Sequence, residues 1–173
     1  TVAPTPTPLL LNLYPGASAG YSLRNIDSGY TGPAILVQNN VGGATKAIDF
    51  DINGNLNTAE LISYGGSNDV FVATWYDQSG NGNNATQVTS TARPKIYDGT
   101  TGAVITENGK PSVYFEGTEY FKNITASIST LHSAFAVAKN PTQNRRQIYG
   151  FGADFAYENF EFGFWNTALS RTF

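Results

Sequence analysis

Glycine paired with asparagine or aspartate recurs along this chain, at Asn53-Gly54, Asn81-Gly82, Asp98-Gly99 and Asn108-Gly109. Such pairs suit tight turns that need positive φ, and between short apolar runs they cut a chain into strands rather than helices. Residues 34–38 and 44–50 read as two strands joined at Gly42-Gly43. Residues 70–76 are apolar on both faces apart from Thr74, the pattern of a strand buried in the middle of a sandwich. Further strands are expected at 93–97, 112–115, 133–139, 147–151 and 160–165. Charged residues make up 13% of the chain against roughly 25% in a typical soluble protein. Helical surfaces need Glu, Lys and Arg to face water, so the outer faces here must be built from Asn, Thr, Ser and Gln, which suits a turn-rich sheet protein. A chain of 173 residues fills one core, and the expectation is one all-β sandwich.

Three stretches depart from that texture. Residues 1–8 alternate Pro with small residues and read as an extended arm, either a tail or a peptide docked on a neighbouring subunit. A short helix or turn is expected at 17–23, between Gly16 and the strands. Residues 58–64 have helical spacing, with Asn57 as N-cap and Glu60 placed as in a capping box. The start at Thr1-Val2 reads as a protein that lost its initiator Met, with nothing resembling an export signal.

Charge and residue usage exclude several functions. The formal net charge is −3 and the longest basic run is Arg145-Arg146, so the counterion release that drives nucleic-acid binding is missing. No stretch is apolar enough for a membrane-spanning helix. With no Cys and the single His132, disulfides and zinc sites drop out. Asp51, Asn53 and Asn55 mimic the start of a calcium loop, yet Leu56 stands where the loop needs Gly and Ile62 where it needs Glu. The expectation is no cofactor, with calcium as the minor alternative.

The run Trp75-Tyr76-Asp77-Gln78-Ser79-Gly80-Asn81-Gly82-Asn83-Asn84-Ala85-Thr86, followed by Pro111-Ser112-Val113-Tyr114-Phe115-Glu116-Gly117-Thr118-Glu119-Tyr120-Phe121, resembles the concanavalin A-like, laminin G-like superfamily. The resemblance implies a jelly-roll β-sandwich over residues 9–173. Tyr76-Asp77-Gln78-Ser79-Gly80, with residues 21–39, is also similar to the jelly-roll catalytic domain of fungal-type arabinofuranosidases. That likeness implies a retaining glycosidase with two carboxylates roughly 5 to 5.5 Å apart. In those enzymes the carboxylates follow the strand that matches 160–165, and the chain ends at Phe173 before either, so no catalytic residue is assigned. A third resemblance is to virion proteins of bacterial viruses, carried by the apolar start at Leu9, by Tyr14-Pro15-Gly16 and by Tyr21-Ser22-Leu23-Arg24.

Two sets of residues are candidate sites. In the loop 77–84, Gly80 and Gly82 allow positive φ while Asp77, Ser79, Asn81 and Asn83 can bond nearby backbone. It is either a structural corner or a cation or sugar contact using Asp77 and Asn83. If 157–165 is extended, Phe160, Phe162 and Phe164 share one face and Tyr157, Asn159, Glu161 and Trp165 the other. Rings that stack on sugar C–H groups beside an amide and a carboxylate suit a shallow glycan site; the same face also suits a subunit contact.

The expected function is a structural or adhesive protein of a bacterial virus particle, such as a capsid decoration, tail or fibre. Its expected place is the virion after synthesis in the host cytoplasm. Its expected partners are other virion subunits, copies of itself among them, and cell-surface carbohydrate. The alternative is an arabinofuranosidase-like glycoside hydrolase or a non-catalytic carbohydrate-binding module, placed outside the cell.

Overall fold

The computed structural model describes residues 8–122, 133–139, 146–150 and 161–164, the last two stretches by their backbone. The chain divides into two compact units, Thr1–Ile128 and Ser129–Phe173. The expected arm lies outside the described residues except for Pro8.

Strand formation in the first unit follows the apolar runs. Strand β1 (Ile35–Asn39) buries Ile35 and Val37 and pairs antiparallel with β2 (Lys46–Ile48), the link turning at Gly42 with φ of +75°. On its other edge β1 pairs antiparallel with β3 (Val70–Trp75), the central strand, whose Val70, Val72, Ala73 and Thr74 are buried. Between these two the register steps from Thr74 to Val72, which leaves Ala73 as a bulge and sets Trp75 opposite Ile35. The far edge of β3 is shared by β4 (Ala85–Thr86) and β5 (Lys95–Asp98), and β6 (Ala103–Val104) closes the six-stranded sheet beside β5. A separate hairpin of β7 (Thr106–Glu107) and β8 (Lys110–Pro111) turns at Asn108 and Gly109, whose φ values are +49° and +71°. The described residues are thus mostly β with antiparallel pairing.

Helices are few and short. Helix α1 (Leu10–Leu13) is one turn, and a 3₁₀ turn (Ser90–Ala92) leads into β5. Helix α2 (Thr58–Gly65) begins where Asn57 Oδ1 accepts the Glu60 N–H at 3.2 Å, as its spacing predicts. The Glu60 carboxylate does not complete the capping box; it reaches Lys46 Nζ at 2.7 Å. Leu61 and Gly65 are the buried positions of α2, which lies against β2, β5 and β6. The core joins Leu61 to Ile35, Val37, Ile48, Val70, Val72 and Tyr97, each side chain contributing about 1.5–3 kcal/mol when fully buried.

Three expectations require correction. Neither a helix nor a hydrogen-bonded turn forms at 17–23, because its backbone groups bond to side chains of the loop after β3, and the helical turn sits earlier as α1. Residues 112–115 make no strand; Tyr114 forms a single antiparallel bridge to Lys95, while the Ser112 N–H donates to Ile105 O at 2.9 Å, so the stretch finds no one ladder to follow. Residues 133–139 have no regular structure: Phe135 is 96% exposed, and no described strand pairs with them. Alternation cannot make a strand whose backbone finds no ladder partner. In the second unit β9 (Arg146–Gly150) and β10 (Glu161–Phe164) pair antiparallel near the positions read from sequence, with Ile148 bulged.

A glycine decides how closely α2 approaches the sheet. A Cβ on Gly65 would lie 2.4 Å from Tyr97 Cε1, and the Tyr97 ring is 1% exposed and tethered by its hydroxyl donating to Gly66 O at 2.7 Å. Gly65→Ala is therefore expected to cost about 1–3 kcal/mol in urea unfolding, as other overpacked cores do. Unchanged stability would mean that α2 is free to lift.

Asp69 and Lys95 join β3 to β5 at 2.7 Å, and Asp69 Oδ1 also accepts the Gly99 N–H at 2.8 Å. The Lys95 hydrogen bond, with help from Gly99, holds the Asp69 pKa below its ordinary value, while the same bond raises that of Lys95 against the opposing effect of burial. The carboxylate contribution is present above the unfolded value of roughly 3.9 and is lost as pH falls through the lower folded value. The ammonium contribution is present below roughly 10.4 and is lost as pH rises through the raised folded value. Asp69→Asn should cost about 1 kcal/mol at pH 7 and close to nothing at pH 2, read from urea midpoints. An equal deficit at both pH values would show that the ion pair contributes nothing.

Candidate functional site

The loop that follows β3 opens on two buried polar side chains, Asp77 and Gln78. Its path is set by Gly80 and Gly82, with φ of +84° and +71°, and by Asn84 Oδ1, which accepts the Asp77 N–H at 3.0 Å. Asp77 is buried, and its carboxylate accepts four hydrogen bonds from protein donors. Oδ1 accepts the N–H groups of Gly20 and Ser79, both at 2.8 Å; Oδ2 accepts the Ser79 hydroxyl at 2.7 Å and the Asn83 N–H at 3.0 Å.

Beside it Gln78 is 0% exposed and faces residues 20–26. Its backbone N–H donates to Gly20 O at 2.8 Å and its Oε1 accepts the Ile26 N–H at 2.9 Å. Its Nε2 donates to Ser22 O at 2.9 Å and Arg24 O at 3.2 Å. One side chain thus serves the segment as a neighbouring strand would, offering an acceptor to an N–H and donors to two carbonyls. Asn81 Nδ2 adds a bond to Ala17 O at 2.9 Å, Asn83 Nδ2 one to Ser18 O at 2.7 Å, and the Tyr21 hydroxyl donates to Asn83 O. On its far side the segment bridges Arg24 to Asn55 and bonds Asn25 N–H to Gly54 O at 2.7 Å.

The residues singled out from sequence therefore divide. Asp77 and Asn83 are brought together, with the Asp77 oxygens turned onto backbone and hydroxyl donors that a cation would have to displace. Among the described residues no group of three His, Asp or Glu side chains is placed to hold a metal ion. Asp51 likewise accepts the N–H groups of Asn53 and Asn55 through Oδ1, both at 2.9 Å. Tyr157, Asn159 and Trp165 lie outside the described residues, and Glu161 is described as backbone within β10. Gln78 is the residue that the sequence reading passed over. Its one signal was an amide placed directly after a strand apolar on both faces, where a polar side chain is buried with the strand end and must bond.

An aromatic cluster abuts the same strand end. Tyr21 and Phe121 flank Trp75, with ring centroids 6.4 and 6.2 Å away, and Phe115 meets Phe121 edge-on at 5.9 Å. Trp75 Nε1 is buried with no hydrogen-bond partner among the described residues. The ring is held there by packing against its neighbours.

Comparison with solved structures finds that the chain is similar to an arabinofuranosidase solved in complex with arabinofuranosyl-α-1,2-xylobiose. The identity is 26% and the TM-score 0.38, over 40% of this chain and 15% of that one. The chain thus spans less than a sixth of that protein's length. No protein-family model matches the chain, and no curated protein does.

If Gln78 replaces a strand partner, its loss should free one segment before the rest. Gln78→Leu keeps the volume and leaves the Ile26 N–H and two carbonyls without partners, an expected cost of about 2–3 kcal/mol. Amide hydrogen exchange in this variant should accelerate at Ile26 and at position 78 well before it does at Val72 in β3. Uniform acceleration, or none, would remove the clamp from the account.

Proposed function

We propose that this chain is a structural or adhesive module of a bacterial virus particle, a capsid decoration, tail or fibre protein. It displays a concanavalin A-like jelly roll that contacts surface glycans and packs among other virion subunits, copies of itself included. The observation that carries this reading is how the acidic side chains are used. Asp51, Asp77 and Asp98 turn their carboxylates onto backbone N–H groups of their own corners, and Asp69 and Glu60 are committed to Lys95 and Lys46. What faces outward is rich in amides, hydroxyls and rings, such as Asn81, Thr86, Tyr14, Tyr114 and Tyr120. Such a surface stacks on sugars and is buried between subunits without stranding charges. The virion setting rests on the apolar start, the Tyr14-Pro15-Gly16 turn and the segment Tyr21-Ser22-Leu23-Arg24.

Mass spectrometry of particles purified from a producing culture should find many copies of the chain in each particle. Recovery as a soluble monomer secreted by cells would sink the proposal. The segment Tyr76-Asp77-Gln78-Ser79-Gly80 favours a second reading, an arabinofuranosidase-like hydrolase acting outside the cell. Release of nitrophenol from a nitrophenyl arabinofuranoside supports it, and a complete lack of turnover retires it in favour of a non-catalytic carbohydrate-binding module or the virion protein.

A further inference from the structure

Helix α1, the turn that follows it, Asp27 and Ser79 of the loop after β3 border a depression of about 310 Å³, lined by Leu11, Asn12, Pro15, Ala17, Asp27 and Ser79. That is the small end of the range for ligand pockets, about 300–1,000 Å³, and matches one or two small rings. Hydrogen bonds fix its walls. The Leu11 N–H donates to Ile26 O at 2.9 Å, and the Ser28 N–H to Asn12 Oδ1 at 3.1 Å. Ala17 O accepts from Asn81 Nδ2, and the Ser79 hydroxyl is committed to Asp77.

Within these walls one polar pair is only half used. Asn12 Nδ2 donates to Asp27 Oδ1 at 3.1 Å, and the same oxygen accepts the Gly29 N–H at 2.9 Å. Oδ2 of Asp27 and the second Nδ2 hydrogen of Asn12 carry no hydrogen bond among the described residues. An acceptor and a donor on touching side chains match a vicinal diol, in which one hydroxyl donates to the carboxylate and its neighbour accepts from the amide. Leu11 and Pro15 supply the apolar wall that a sugar ring needs for its C–H groups.

We infer that this depression binds a neutral sugar residue through a pair of adjacent hydroxyls, with Asp27 and Asn12 as the recognising pair. The inference rests on the adhesive reading and gives it a place on the surface. Because the walls are tied before the ligand arrives, binding has little loop ordering to oppose it.

The test is a titration of the ¹⁵N-labelled full chain with methyl α-mannoside, methyl α-glucoside, methyl β-galactoside and methyl α-arabinofuranoside. At least one should shift the amide signals of Asn12, Ala17, Ser28 and Ser79. Asp27→Asn, which keeps the structural Oδ1 acceptor, should weaken that binding by about tenfold or more, the worth of a hydrogen bond to a charged group. Ala17→Phe, which fills the depression, should abolish it, and the melting temperature of each variant shows whether the fold survived. Shifts confined to other residues would overturn the site while leaving the adhesive reading standing. Silence with all four sugars would overturn the site, as would the same shifts produced by calcium chloride alone. Particles lacking the chain would instead overturn the virion setting without touching the sugar site.

Discussion

Between Gly20 and Ile26 the backbone of this protein has no strand beside it on one side, and the side chains of Asp77 and Gln78 stand in its place. A buried N–H or C=O without a partner costs on the order of 1–3 kcal/mol, so an unpaired segment against the core would be driven off the surface. Here the loop after β3 supplies acceptors to Gly20 and Ile26 and donors to the carbonyls of Ser22 and Arg24. That arrangement ties the first part of the chain to the end of the central strand, across more than fifty residues of sequence. It also explains why Asp77 and Gln78, at the start of that loop, are buried although polar: their side chains are directed at backbone groups.

The sheet itself is organised around β3. Its neighbour β1 takes one edge and β4 with β5 share the other. The bulge at Ala73 rotates Trp75 onto the face of Ile35, where Tyr21 and Phe121 pack on it. At the other end, Asp69 and Lys95 pin β3 to β5, and the absence of a side chain on Gly65 lets α2 settle on Tyr97.

The corners of the first unit take up the carboxylates of Asp51, Asp77 and Asp98, and among the described residues exposed amides, hydroxyls and rings such as Asn81, Thr86 and Tyr114 face solvent. The depression lies beside the same loop, bordered by residues 11–17, Asp27 and Ser79, with Asn12 bonded to Asp27 in its wall. The recognising pair thus sits beside a structural device, and its rigidity comes from bonds made for folding.

Local rules made much of this legible. The turns at Asn53-Gly54 and Asn108-Gly109 and the Asn57 cap depend on neighbours within a few residues, and the strands read at 34–38, 44–50, 70–76 and 93–97 lie close to those that form; the turn read at Asp98-Gly99 is present, with its positive φ at Gly102 and not at Gly99. What depended on distant partners was not. Residues 17–23 had the composition of a turn or helix, yet their hydrogen bonds go to Gln78, Asn81 and Asn83. Residues 133–139 had the alternation of a strand and found no described ladder. Gln78 and Asp27 look like ordinary loop residues until the fold places one against three backbone groups and the other beside Asn12. Periodicity and turn chemistry decided where the chain bends and which stretches are β; which buried polar group meets which was decided by tertiary structure, because a hydrogen bond across fifty residues leaves no mark on the residues between.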